Sequence, residues 1–581
     1  MFGYLRLSRE GPIGRGLAQI ARDPAKRVLL AASVPLAVGI GWGMPGSDSW
    51  SADSISPRSC GLGAIVETFW PGHFHTYPPL HMALLTVLSV PWIAAAALRA
   101  GLSRAALEAE LIKPLYMTGI ELSARALAVA MTLGLIWATM RLWTRLAGRR
   151  TGLLAGVLTA ANATLIYYGH TGNLEVPYLF WVTCAMVEFD RVACGEAREM
   201  RALIFGVAAV LTKDQALGAL LLPGALCLVV IPWLLHRRPP TRRGLIRAAL
   251  VAAGLYAIGS GAIVNPVGFR RRIAFLMGPA SQSWATYPAG WRGLAPWIRD
   301  VLGHMQDFTS WPIALAAIVG IVAAVFRIKG EQRLRTLVPL SAAVSFTVLF
   351  TLAVRRSEHR FLLPQSVFLV PYAGLAFDFA WRAWTRSHVA LWLAGIAALC
   401  PAVLGVASLD GTLVLDPRYE AERFLAALAS GTHVEVYGGP LFLPRVPRGL
   451  VATRPGVEPP RDRQAIAGVT DIVDPSMDPR PRGPAAIVLS TEFSTIESTR
   501  PSPTIRPYAL AQYADDESHA LFRGLWDGRL GYERVFAGQC RLPWPLRCVR
   551  IHSSTGGEVW IYEPRRTVAG PRGAEETLPC R

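Results

Sequence analysis

The chain has 581 residues, 52% of them hydrophobic and 17% charged, with a mean hydropathy of +0.33, whereas soluble domains carry about 25% charged residues. No soluble core could hide that much apolar surface, so much of the chain must face lipid; disorder, collagen and, with 8 Cys, a disulfide-dense secreted scaffold are excluded. The net charge of +19 does not point to nucleic acid: residues 1–410 hold 38 basic against 20 acidic groups and residues 411–581 hold 21 against 20, and the excess sits in short clusters between apolar runs, not on a soluble basic face.

In chain order, apolar runs of spanning or near-spanning length begin near Val28, Ala126, Thr151, Val176, Ala202, Ala216, Ala248, Trp311, Thr336, Phe361 and Val389; about 20 residues cross a ~30 Å hydrocarbon core. Basic clusters at Lys26-Arg27, Arg141–Arg150, Arg191–Arg201, Arg237–Arg247, Arg327–Arg335 and Arg382 with Arg386 fit eleven spans by the positive-inside rule, with a cytoplasmic N-terminus. The run Leu80–Leu98 is then a juxtamembrane or re-entrant helix in a first outer loop of about 45–120, because a full span there would move Arg141–Arg150 outside. The first span reads as an uncleaved anchor, since no small-residue cleavage site follows it. After Asp410 the texture changes. A helical stretch from Asp416 through Leu428, strand-like runs at His433–Tyr437, Ala485–Leu489 and Glu558–Tyr562, and Pro/Gly/Arg-rich loops indicate a C-terminal α/β domain over 411–581. Cys540 and Cys548 lie in it, and an extracytoplasmic location would let them pair.

This topology sorts the polar residues. Inner loops carry mostly Arg. Outer loops gather carboxylates, histidines and aromatics: Asp48 and Asp53, then His73, His75, Tyr77, Pro78, Pro79 and His81, then Asn173 and Glu175, then Lys213-Asp214-Gln215, Arg270–Arg272, and Arg355–Arg360 around Glu358 and His359. Ionisable groups this close to span ends are costly in lipid, which marks them as site candidates. The bland alternatives are solvated loop carboxylates, interfacial histidines, and prolines that start a helix.

These residues, in this order, resemble the GT-C type membrane glycosyltransferases of the protein O-mannosyltransferase and aminoarabinose lipid A transferase superfamily. Asp53 stands where that family places a first-loop catalytic acid, with Asp48 as its rival. Tyr77-Pro78-Pro79-Leu80 matches the His/Tyr-Pro-Pro-Leu motif, Glu175 in Asn173-Leu174-Glu175 matches the second-loop acid, and Arg360-Phe361-Leu362-Leu363-Pro364 resembles a stretch before a late span. Two departures stand out: Ser54 is where the family often has Glu, and Glu175 is where it often has Asp. The resemblance implies an α-helical polytopic domain over 1–410, a periplasmic C-terminal α/β domain, and a location in the inner membrane. It also implies transfer of a sugar from a polyprenyl-phosphate donor, held among membrane lipids, to an envelope lipid, glycan or protein.

In that chemistry a carboxylate, Asp53 first, with Asp48 and Glu175 beside it, takes the acceptor's proton. Lys213, Arg356, Arg360 and Arg270–Arg272 are the cations to stabilise a departing lipid phosphate, and Tyr77, Pro78, Pro79, His75 and Asn173 shape the substrate site. No cofactor is assigned with certainty; His73, His75 and Glu175 are open either to holding a divalent metal or to orienting the acceptor. The rival functions are a transporter or lipid-linked glycan flippase, which calls for mid-span polar residues and internal repeats, and a glycan polymerase or ligase, which lacks the ordered Asp, Tyr-Pro-Pro-Leu, Glu pattern.

Overall fold

The computed structural model describes residues 23–44, 50–51, 54, 61–101, 103–196, 199–234, 241–282, 285–384, 388–457, 466, 468–490, 516–551 and 555–565. The chain divides into two compact units. One is Met1–Asp416 with Cys540–Gly556; the other is Pro417–Gln539 with Gly557–Arg581.

In the first unit each of the eleven apolar runs is helical. Among the described residues, six helices are long and apolar enough to cross a membrane: Leu80–Ala100, Pro114–Ala147, Ala216–Leu234, Gly330–Val354, His359–Ala383 and the one starting at His388. A seventh arises if Arg149–Ala160 and Ala163–His170, bent by 67°, count as one span. Large apolar side chains such as Leu315, Ile318, Val319 and Val322 on Trp311–Phe326 are exposed, as lipid-facing positions should be. Lipid tails are as apolar as Leu, so helix association rests on close packing through small residues. At Gly320 a Cβ would run into the backbone oxygen of Tyr372, so only glycine lets Trp311–Phe326 come so close to His359–Ala383. The Trp143 and Tyr372 rings meet edge-on at 4.7 Å within the same core.

Ion pairs identify the two ends of this bundle. At one end Arg145 and Arg335 both bond Asp190, each at 2.7 Å, Arg145 reaches Glu196 at 2.9 Å, and Arg150 and Arg382 flank Asp378 at 3.6 and 2.5 Å. Three of the six basic clusters expected on the cytoplasmic side, Arg141–Arg150, Arg327–Arg335 and Arg382, are thus drawn to one end. At the other end Arg125, fully buried, donates to the carbonyls of Ile40 and Trp42 (both 2.7 Å) and to Glu121 (3.0 Å), and Trp42 donates to Asp416 (2.9 Å).

Helix Pro114–Ala147 has 34 residues, about 51 Å at 1.5 Å each, against a ~30 Å hydrocarbon core. Leu80–Ala100 lies along only its first part: Met82 and Leu85 pack on Ala124, and Trp92 donates to Ser123 at 3.0 Å. Leu127, one turn further on, joins the same cluster. By length and hydropathy Leu80–Ala100 is itself a candidate span.

The second unit carries a six-stranded sheet in the order β3-β2-β1-β4-β6-β5: β1 His433–Tyr437, β2 Val451–Gly456, β3 Val469–Val473, β4 Ala486–Ser490, β5 Tyr532–Gly538 and β6 Val559–Pro564. Strands β1–β4 pair in parallel, while β6 and β5 add antiparallel. Alternation in β4 feeds two cores. Ala486 and Val488 pack with Ala421 and Leu425 of helix Pro417–Ala426, and Ile487 and Leu489 with Leu521, Phe522 and Leu525 of helix Asp516–Trp526. A parallel sheet covered on both faces is the expected result of such continuous apolar strands. Cys540 and Cys548, in the Cys540–Gly556 segment that belongs to the first unit, form a disulfide.

Candidate active site

Several of the residues singled out in the sequence lie near the Arg125 end of the bundle. Glu175 opens helix Glu175–Ala193, where the helix dipole favours a carboxylate. Lys213 follows helix Glu199–Thr212, and its ammonium pairs directly with Glu175. Both are buried, at 5% and 3% exposure. The rings of Tyr77 and Tyr178 lie 5.9 and 5.7 Å from the Lys213 Nζ, at the outer edge of cation–π range. Tyr77 is placed by the two buried prolines after it; Pro79 caps helix Leu80–Ala100, where a missing N–H costs nothing.

Asn173 donates to Thr171 Oγ1 (2.8 Å) and to Ser51 Oγ (3.3 Å), which also meets the Tyr167 hydroxyl (3.3 Å). Ser54 donates to the Thr171 carbonyl (2.9 Å) and to Glu121 (3.2 Å). Ser51 and Ser54 therefore anchor their loop against the Thr171–Asn173 turn. The segment before Tyr77 is fixed from a third side. Asn265 donates to the carbonyls of Thr68 (3.1 Å), Trp70 (2.7 Å) and His73 (2.8 Å) and accepts from Gly72 N–H. Arg272 donates to the Thr76 carbonyl (3.2 Å) and pairs with Asp214. Burial pushes the Asp214 carboxyl up from its usual range, against the pull of the Arg272 guanidinium.

A second constellation is built on Glu358. Arg356 and Arg360 each donate from Nε to it at 2.8 Å, and their guanidinium groups lie 4.8 and 4.7 Å from the Phe361 ring centre. Two cations share one carboxylate, so the trio keeps a net positive charge. Ser357 meets the Tyr287 hydroxyl at 2.6 Å, and burial together with Asp300 raises the Tyr287 phenol well above its usual range.

No family model matches the chain, and no curated protein matches it. Among solved structures the chain is similar to ArnT from Cupriavidus metallidurans bound to undecaprenyl phosphate, at 16% identity and a TM-score of 0.44, over 97% of this chain and 100% of that one. It is also similar to the oligosaccharyltransferase of Archaeoglobus fulgidus tethered with an acceptor peptide, at 12% identity and a TM-score of 0.44, over 93% and 77% of the two chains. AglB of the same organism, in complex with an inhibitory peptide and a dolichol-phosphate, matches at 12% identity and a TM-score of 0.43, over 92% and 77%.

Of the residues singled out in the sequence, Tyr77, Pro78, Pro79, Asn173, Glu175 and Lys213 belong to the first constellation, and Arg356 and Arg360 to the second. Asp48 and Asp53 lie outside the described residues. His75 bonds Glu67 through Nδ1 at 3.1 Å, and His73 is exposed. Among the described residues, the only set of three His, Cys, Asp or Glu close enough to share a metal is His304, Asp307 and His359, so His73, His75 and Glu175 do not form one. Sequence reading missed the Glu121–Arg125 pair, which sits inside a helical run and looks like an ordinary i,i+4 surface pair.

Proposed function

We propose that the chain is a GT-C type membrane glycosyltransferase that moves a sugar from a polyprenyl-phosphate donor to an envelope acceptor at the extracytoplasmic face. The observation that carries this reading is spatial. Ser51 and Ser54, the described residues on either side of Asp53 in sequence, are bonded to the Thr171–Asn173 turn, and that turn leads into Glu175, Lys213 and Tyr77. Residues from Ser51 to Lys213, 213 − 51 = 162 positions apart in sequence, thus meet at one end of the bundle.

In this reading Asp53 takes the proton of the acceptor hydroxyl as the hydroxyl attacks the anomeric carbon, and the bond to the lipid phosphate breaks. The leaving phosphate carries negative charge, so fixed cations lower the barrier. Lys213 is held ready by Glu175, and Arg272 is fixed by Asp214 and Thr76. Arg356 and Arg360, with one carboxylate between them, offer forked donors suited to phosphate oxygens. The eleven-span topology with a cytoplasmic N-terminus belongs to the same proposal. The Arg145–Asp190–Arg335 and Arg150–Asp378–Arg382 networks support it by gathering three of the six basic clusters at one end.

The test is Asp53→Asn in purified full-length protein. The amide keeps the shape and cannot accept the proton, so turnover with a polyprenyl-phosphate sugar should fall by about 10²–10⁴-fold with melting unchanged. Normal turnover in Asp53→Asn with a large loss in Asp48→Asn would move the base to Asp48; normal turnover in both would remove the base assignment.

A further inference from the structure

We propose that His304, Asp307 and His359 form a binding site for a borderline divalent cation, Zn2+ foremost, separate from the Glu175–Lys213 constellation. Two imidazole nitrogens and a carboxylate oxygen, one from each residue, all lie within 4.8 Å of one another. Nε2 of His359 is already 3.0 Å from Oδ2 of Asp307. That separation suits two ligands of one metal, because bonds of about 2.0–2.2 Å set tetrahedral ligand atoms roughly 3.4 Å apart. The widest separation, at most 4.8 Å, exceeds that spacing by no more than about 1.4 Å, within reach of side-chain adjustment on metal binding.

Two features preorganise the donors. His304 and Asp307 are three residues apart across the turn that joins helix Trp291–Gly303 to Met305–Phe308, with His304 as the cap between them, so both side chains project from one face. The second feature is the support of Asp307. Arg547 bonds its Oδ1 at 3.1 Å, leaving Oδ2 turned to His359, while Thr164 donates to its backbone carbonyl at 2.9 Å. An outer partner on the non-ligating carboxylate oxygen is the arrangement that fixes a metal ligand's direction. Arg547 is itself tied down: its own N–H bonds Ser408 Oγ (3.2 Å), and the N–H of Val549 bonds Thr412 Oγ1 (3.0 Å).

The donor set selects the ion. Imidazole favours Zn2+, Co2+ or Fe2+ over Mg2+ and Ca2+, which take oxygen ligands. Three protein ligands leave a fourth position, and because His304 and Asp307 are only half-buried, a water or an anionic oxygen can reach it. The ion would join three segments distant in sequence: the 304–307 turn, the start of helix His359–Ala383, and, through Asp307, the loop closed by the Cys540–Cys548 disulfide.

The test uses chelator-stripped full-length protein in detergent, loaded with Zn2+ and separately titrated with Co2+. The wild-type chain should retain one more equivalent of zinc than His304→Gln/His359→Gln and should develop a visible Co2+ ligand-field band that the double variant lacks. Asp307→Asn, nearly the same size, should weaken zinc binding by more than about 10-fold, and it stands in if the double variant fails to fold. His75→Gln removes the His75–Glu67 pair and should leave the band in place. Equal zinc content and equal Co2+ spectra in wild type and Asp307→Asn would overturn the proposal.

Discussion

Removing the Lys213 charge while leaving Glu175 in place should be among the most damaging single changes in the membrane unit. The two groups are 5% and 3% exposed and in direct contact, so their attraction is of the order of 4 kcal/mol at an effective dielectric of 20. Lys213→Met strands a buried carboxylate, at a cost of about 3–5 kcal/mol. Glu175→Gln strands the ammonium instead, but the Tyr77 and Tyr178 faces remain near it and recover about 0.5–2 kcal/mol, so this change should cost less. The double variant Glu175→Gln/Lys213→Met buries no net charge and should be more stable than Lys213→Met alone. Denaturant unfolding of all four proteins in detergent gives the cycle directly. Coupling of about 3 kcal/mol or more is expected; additive single effects would refute the buried pair.

Arg125→Gln removes the donor that holds the Ile40 and Trp42 carbonyls and takes the cation from buried Glu121, which keeps only the neutral Ser54 hydroxyl among its bonds described above, so it should lower unfolding free energy by about 3 kcal/mol or more, read in the same denaturant assay. Gly268→Ala puts a Cβ against the His73 carbonyl oxygen, displacing the segment that leads to Tyr77; donor turnover should drop more than thermal stability does. Replacing Cys540 and Cys548 together by Ser opens a short covalent loop, worth about 2–3 kcal/mol by loop-closure entropy, and should lower the melting temperature to that of the wild type under reductant. Fusions of a reporter active only outside the cytoplasm should be active after Gly101, Gly172, Gly290, Ser357 and Gly411 and inactive after Gly148 and Gly330. Inactivity after Gly101 would make Leu80–Ala100 a span.

What could be read from sequence followed the strength of the local signal. The apolar spans and the strands β1, β4 and β6 announce themselves through runs that must be buried. β2, Val-Ala-Thr-Arg-Pro-Gly, does not, because it holds a buried charge, Arg454, which pairs with Asp471, its register partner on β3, at 2.5 Å and also donates to the Gly438 carbonyl. Edge strand β5 is largely exposed and so lacks an apolar signature. In the site, Glu175 and Lys213 were legible because an acid and a lysine at span ends need a reason to be there. Their pairing was not, since 38 residues separate them. His304 and Asp307 read as ordinary loop residues until the fold brings His359 to them.

The account's central claim is tested most directly by following the donor. Purified full-length protein, given a polyprenyl-phosphate sugar labelled in the sugar and a lipid extract of the cell envelope, should release free polyprenyl phosphate and move the label to a new envelope product, and Asp53→Asn should suppress both by at least about 100-fold. A donor that stays intact in that mixture, or one carried across proteoliposomes unchanged, would contradict glycosyl transfer and favour a flippase.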